Sequence, residues 1–248
     1  LNADETGVRV KGRLHWLHVA STGGFTYYSI DEKRGKEATD AAGILENFRG
    51  TAVHDHRKPY FGYGNCGHAL CNAHHLRELR FMEKQYGQIW AENMAELLLD
   101  IKEAVEKAKP DRDGFGLKQI RAFERRYDEI LRRGFAENPF TPPKEKKRGR
   151  AKKTPPLNLL TRLRDYKAET LAFMYDFRVP FDNNAAERDV RMMKVKQKVS
   201  GCFRTVEGAE RFACIRGYIS TARKNSKNIF EAIRDAFLGN PFIPDAAA

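Results

Sequence analysis

The chain of 248 residues is long enough for one large domain, or for one domain with a sizeable insertion. Hydrophobic residues make up 41 % of it, enough for a core, yet no run of about 18 apolar residues occurs, which excludes a membrane-spanning helix. Its 45 Lys and Arg against 33 Asp and Glu give +12 and a pI near 9.6, which puts polyanions first among partners, nucleic acid ahead of a membrane surface.

Asn2 to Val10 and Arg13 to Ser21 read as strands joined by a turn at Lys11-Gly12, and Ser21-Thr22-Gly23-Gly24 turns the chain into a third strand, Phe25 to Ile30. Trp16, Leu17 and Val19 put apolar groups on both faces of the second strand, as a covered sheet requires. A helix is predicted over 36–48, with Ala41, Ile44, Leu45 and Phe48 as its buried stripe. Thr51-Ala52-Val53-His54-Asp55 is a short buried strand that ends on a carboxylate, and a helix over 68–86 follows, with Leu76, Leu79 and Met82 inward. A right-handed crossover can set this fourth strand parallel to the first and beside it. Asp4 in the first strand and Asp55 at the end of the fourth would then be neighbours.

These pieces, 1–86, form the first part of an α/β core. Residues 87–180 read as an all-helical insertion. Met94, Leu97, Leu98, Ile101 and Val105 mark one amphipathic helix; Leu117, Ile120, Phe123, Tyr127, Ile130 and Leu131 mark a second, closed by Gly134. A Pro-rich basic linker spans 136–156, and helix returns from Leu157 to Phe173. Residues 181–240 complete the core with a helix over 184–199 and two more, and 241–248 is a tail. The chain starts at Leu1 rather than Met and reads as an excised fragment. Cys66, Cys71, Cys202 and Cys214 show no secreted spacing, so a reduced cytosolic protein is the expectation.

The charge is clustered. Residues 144–153 hold seven bases and one acid, among them Lys147, Arg148 and Arg150, and suit either a solvated tail or a DNA contact. Residues 188–227 hold eleven bases and three acids interleaved with apolar residues, which favours a folded basic surface. In the helix over 184–199, Glu187, Arg191, Lys194 and Lys198 fall on one face, beside a packing stripe of Ala186, Val190 and Met193. One acid at the head of a basic ridge suits an enzyme that holds metal and neutralises phosphates. The same residues also fit plainer roles. Asn184 with Glu187 is close to a capping box, and Glu187 with Arg191 is an ordinary helical pair. Asp55 could cap a turn. Of the adjacent Asp4 and Glu5, which point to opposite faces, one could be a site and the other a surface charge.

Asp4-Glu5-Thr6-Gly7-Val8, Val53-His54-Asp55, Cys71-Asn72-Ala73-His74-His75-Leu76-Arg77-Glu78-Leu79, Val179-Pro180-Phe181-Asp182-Asn183-Asn184-Ala185-Ala186-Glu187-Arg188-Asp189 and Ser200-Gly201-Cys202-Phe203-Arg204 together resemble the transposases of the insertion sequence 66 family, in order along the chain. The resemblance implies a ribonuclease H-like fold with a catalytic, metal-binding triad of Asp4, Asp55 and Glu187. It implies two Mg²⁺ ions, replaceable by Mn²⁺, with Asp4 bridging both. It also implies a helical insertion between the second and third acids, which 131 residues separate here. Double-stranded DNA is the implied partner, at transposon ends and target, contacted by Arg188, Arg191, Lys194, Lys198 and Arg204. A homodimer on DNA, a bacterial cytoplasmic location at the nucleoid, and a supporting role for Cys71 and His74 follow as well. Relatives carry an N-terminal DNA-binding part that this chain is expected to lack. Zinc at Cys66, Cys71, His74 and His75 is disfavoured, because no clean second ligand pair is evident.

Three other readings stand beside this one. A ribonuclease H-like nuclease would use the same acids without joining strands. A non-catalytic DNA-binding module, from a decayed transposase, would keep the basic surface alone. An RNA-binding sheet would need an exposed aromatic pair, for which Tyr27 and Tyr28 are the candidates.

Overall fold

The computed structural model describes residues 1–140 and 153–245, which divide into two compact units, 1–68 with 183–245 and 69–182. Lys147, Arg148, Arg150 and most of the expected linker lie outside the described residues.

The first unit is built on a sheet. Strands β1 (Asn2–Val10), β2 (Arg13–Ser21) and β3 (Thr26–Asp31) form an antiparallel meander. Lys11 and Gly12 both take positive φ, 51° and 77°, which makes the tight link between β1 and β2. Helix α1 (Lys36–Ala41) leads to β4 (Thr51–His54), which lies parallel to β1 with Asn2 opposite Val53. A 3₁₀ turn at Tyr60–Gly62 precedes β5 (Gly67–Leu70), and the sheet order is β3-β2-β1-β4-β5. The chain passes from one unit to the other within β5. The crossover placed β4 beside β1 as expected, but two local expectations fail. Helix α1 ends at Ala41, because Gly43 turns the backbone to φ 67°, and Ala41 is exposed. Residues 67–70 are strand rather than the start of a helix.

Alternation along β1 sorts its residues between two cores. Val8 and Val10 pack with Leu17, Val19 and Tyr28 against Ala186, Val190 and Met193 of helix α8 (Asn184–Ser200) and Ala209 and Ala213 of helix α9 (Val206–Lys224). Ala3 faces the other way, into a smaller cluster with Leu45, Ala52, Tyr60 and Tyr63. Phe203 bridges to the far end of β1: its N–H donates to the Arg9 carbonyl at 2.8 Å, and its carbonyl accepts from Lys11 N–H at 2.8 Å. Helix α10 (Ile229–Phe237) is capped by Asn228, whose side chain accepts from Phe230 and Glu231 N–H.

The second unit contains helices α2 (Asn72–Tyr86), α3 (Ile89–Ala108), α4 (Leu117–Glu137), α5 (Pro155–Asp165), α6 (Lys167–Thr170) and α7 (Ala172–Tyr175). Trp90, Met94, Leu97, Leu98 and Ile101 of α3 are fully buried, as are Tyr127 of α4 and Leu159, Leu160 and Leu163 of α5. Each such side chain contributes about 1.5–3 kcal/mol by leaving water. Helix α2 stops at Gly87, which takes a left-handed φ of 61°. Thr154 caps α5 ahead of Pro155-Pro156, whose missing N–H groups are harmless in a first turn. Asn72 N–H donates to the Phe181 carbonyl at 3.1 Å, tying the start of the unit to its end.

Gly134 does not close α4, which runs on to Glu137. Its role is close approach: a Cβ there would lie 2.5 Å from Leu160 Cδ2 and 3.0 Å from the Trp90 ring. Gly134→Ala gains about 1 kcal/mol of helix propensity but forces two buried side chains aside, which costs about 1–3 kcal/mol. A net loss of about 1 kcal/mol is expected in urea unfolding, opposite in sign to the stabilisation that Gly→Ala brings to an open helix face.

Candidate active site

Asp4, Asp55 and Glu187 all belong to the first unit. Asp4 sits in β1, the central strand, on the face that also carries Val8 and Val10. The parallel register that pairs Asn2 with Val53, carried two residues on, sets Asp55 beside Asp4. Parallel neighbours lie about 4.8 Å apart. Asp55 is the first residue past β4, and its Oδ1 accepts from Arg57 N–H at 3.1 Å. It therefore makes the turn-capping bond that the sequence also allowed.

Glu187 is brought in by Asn183. The buried Asn183 side chain donates from Nδ2 to the Ala3 carbonyl at 2.8 Å, one residue before Asp4. The Asn183 carbonyl in turn accepts from Glu187 N–H at 3.1 Å. One residue thus fixes the head of α8 to β1, one helical turn from Glu187. The helix cap is Asn183, not Asn184.

The charges of Asp55 and Glu187 both act on Asp4. Burial pushes the Asp4 carboxyl up to about 7; the hydrogen bond from Glu5 N–H works against this, and the charges of Glu5, Asp55 and Glu187 add to it. Burial also pushes Asp55 up to about 7, helped by the charge of Glu5 and opposed by Arg34. Without a cation, Asp4 and Asp55 hold protons closer to neutral pH than exposed carboxylates do.

A histidine pair supports Asp55 from behind. The buried His54 donates from Nδ1 to the Asp55 carbonyl at 2.5 Å, and its Nε2 meets His68 Nδ1 at 3.0 Å. His68 Nε2 donates to the Tyr63 carbonyl at 3.0 Å. The His54 ring stacks on Tyr60 at 4.8 Å, and burial lowers its pKa to about 4. Nothing in the sequence singled out this pair.

Glu5 is not a surface charge. Its side chain is 2 % exposed and ion-paired with Arg34 and Arg57. Asp189 was also passed over. Its carboxylate accepts from Ser21 Oγ at 2.8 Å, Thr26 Oγ1 at 3.1 Å, Ser220 Oγ at 3.0 Å and Lys224 Nζ at 3.0 Å. It lies three residues from Ala186 and four from Met193, so its place on the packing stripe was readable from spacing.

Arg188, Arg191, Lys194, Lys198 and Arg204 are all exposed, and none forms an ion pair among the described residues. Cys71, which is buried, caps α2, and His74 lies in that helix's first turn; both belong to the second unit. Tyr28 is buried with its hydroxyl on the Asp189 carbonyl at 2.9 Å, while Tyr27 is exposed, so the two do not form a stacking pair.

A mixed five-stranded sheet with helices packed on it is consistent with a ribonuclease H-like fold. The chain belongs to the Transposase IS66 family, whose model matches residues 1–211. Membership gives it a transposase role, DNA as partner and a divalent metal as the expected cofactor. No curated protein and no solved structure matches the chain. Among the described residues, no helix is long and apolar enough to cross a membrane.

Proposed function

We propose that the chain is the catalytic part of a DNA transposase in which Asp4, Asp55 and Glu187 hold two Mg²⁺ ions, with Mn²⁺ as a substitute. The observation that carries this reading is placement: the β1–β4 register sets Asp55 beside Asp4, Asn183 ties the head of α8 to Ala3, and Asp4, raised chiefly by burial, also feels the charges of Asp55 and Glu187. Their oxygen atoms are the hard donors that magnesium prefers. Bound divalent ions would make water or a DNA 3′-hydroxyl nucleophilic near neutral pH and stabilise the leaving oxygen.

The protein's own residues supply the rest. Asn183 fixes Glu187 relative to Asp4, and His54 fixes the Asp55 backbone. Arg188, Arg191, Lys194, Lys198 and Arg204 neutralise phosphates of double-stranded DNA, with Lys147, Arg148 and Arg150 as a further contact. Water first hydrolyses a strand at the element's end, and the freed 3′-hydroxyl then attacks target DNA. In this reading α3 to α7 are the insertion in a ribonuclease H-like core, Cys71 and His74 support the site, and the protein pairs on DNA as a homodimer.

A crystal soaked in Mn²⁺ and read by anomalous scattering tests the site. Manganese among Asp4, Asp55 and Glu187 is the expected result. Manganese that binds elsewhere, with the three acids empty, would move the decayed DNA-binding module ahead.

A further inference from the structure

Glu5 lies on the face of β1 opposite Asp4 and is wholly enclosed by partners. Its Oε1 accepts from Arg34 Nε at 3.1 Å and Nη2 at 3.0 Å, and from Arg57 Nη1 at 2.6 Å. Its Oε2 accepts from the Tyr60 hydroxyl at 2.5 Å. Two guanidinium groups thus share one carboxylate, and the cluster keeps a net positive charge.

Both arginines are close to the metal-binding candidates. Arg57 is two residues from Asp55 and already touches its Oδ1 through the backbone N–H. Arg34 acts electrostatically on Asp55 and rests over the Trp16 ring at 4.1 Å. Their side chains are 24 % and 42 % exposed, so neither is locked in by packing. Yet among the described residues their ion pairs run to Glu5, and none runs to Asp4 or Asp55. A guanidinium offers five donors in a fork that matches carboxylates. Beside two half-buried acids it is the natural competitor of a divalent cation.

We propose that Glu5 is a positioning residue that holds Arg34 and Arg57 off Asp55, so that this carboxylate stays open to a divalent cation beside Asp4. The inference rests on the reading of Asp4 and Asp55 as metal ligands. It gives the second acid of the Asp4-Glu5 pair a function distinct from the first. Glu5 does not bind the metal; it occupies the cations that would displace it.

The test is Mn²⁺ binding, followed by the paramagnetic resonance of free Mn²⁺ with a short DNA duplex present, in the whole chain and four variants. Asp55→Asn calibrates the site. Glu5→Gln is expected to weaken Mn²⁺ about tenfold, because both arginines are released toward Asp55. Glu5→Gln with Arg57→Met is expected to recover about half of the lost binding on a logarithmic scale, because Arg34 remains released, a coupling that a merely structural role does not produce. Arg57→Met alone is expected to leave binding unchanged or tighter, and it decides the matter should Glu5→Gln fail to fold.

If the parent shows no Mn²⁺ site that Asp55→Asn removes, the metal reading falls and this inference with it. If the parent binds through Asp55 but Glu5→Gln binds equally well, only the inference falls. Weakening by Glu5→Gln without recovery in the double variant, or weakening by Arg57→Met alone, also overturns it.

Discussion

Asp4→Asn is expected to abolish divalent-metal-dependent nicking of plasmid DNA and, at the same time, to raise the melting temperature of the metal-free protein. The two effects share one cause. In the folded chain the Asp4 carboxyl titrates near 7 rather than at its ordinary 3.8, chiefly because it is buried and next because other acids surround it. Below the ordinary value both folded and unfolded chains hold this proton, and the site imposes no penalty. As pH rises from about 4 to 7 the unfolded chain releases the proton while the folded chain keeps it, so folding is progressively penalised. Above 7 the penalty is complete. Discounted for partial exposure, it amounts to about 1–3 kcal/mol, or about 2–10 °C in a chain of this size. An Asn of the same shape escapes it. The gain in melting temperature should be larger at pH 8 than at pH 5 and should vanish or reverse with millimolar Mn²⁺, which stabilises only the parent. Nicking should fall by at least about 100-fold, as expected for loss of a metal ligand. A variant that nicks DNA like the parent would sink the catalytic assignment; a variant that melts no higher at pH 8 would show that the acids are not crowded.

Much of this site was readable before any coordinates. The meander, the crossover that sets β4 beside β1, and the helix carrying Glu187 follow from strand alternation and helical spacing. Asp4, Asp55 and Glu187 accordingly fall in the strand, just past the strand and in the helix that these patterns predict. What escaped is what depends on contacts between elements far apart in sequence. No local pattern says that Glu5 will be enclosed by Arg34, Arg57 and Tyr60, 29 to 55 residues away. Gly134 shows the converse error. Its position near the end of an apolar pattern suggested a helix stop, whereas the packing of Trp90 and Leu160 against it is a tertiary demand that only the fold reveals. Gly43 ended α1 early because a positive φ overrode an apolar stripe that continues past it in sequence.

The second large effect is expected in the network that holds the head of α8, from Lys224→Met. Asp189 follows Glu187 by two residues in α8, and its carboxylate gathers hydroxyls from β2, β3 and α9. Lys224 supplies the compensating charge and itself meets three acceptors: Asp189 Oδ2 at 3.0 Å, Ser21 Oγ at 2.7 Å and the Phe25 carbonyl at 3.0 Å. Both side chains are mostly buried, 13 % and 19 % exposed. Burial by itself would raise the Asp189 carboxyl, but the hydrogen bonds from Ser21, Lys224 and Ser220, with the Lys224 charge, hold it below the ordinary value. Met preserves most of the volume but removes the charge and the three hydrogen bonds of the ammonium group, leaving an anion with hydroxyl donors alone. Breaking a buried pair from one side costs about 3–5 kcal/mol; the three hydroxyls that remain reduce this to about 2–4 kcal/mol. An acid held below its ordinary value stabilises the fold above that value and loses this contribution as pH falls through its folded pKa. The deficit of Lys224→Met should therefore be full where Asp189 of the variant is ionised and shrink as pH falls and that carboxyl takes up a proton, earlier than in the parent because the Lys224 charge no longer opposes burial. Adding Asp189→Asn to Lys224→Met should restore part of the loss at pH 7, since it removes the uncompensated charge. A double variant no more stable than the single one would mean that the pair acts by packing alone. The consequence reaches the candidate site, because the same network clamps the helix that presents Glu187: destabilisation here should also raise the Mn²⁺ concentration needed for half-maximal nicking while leaving the ligand set intact.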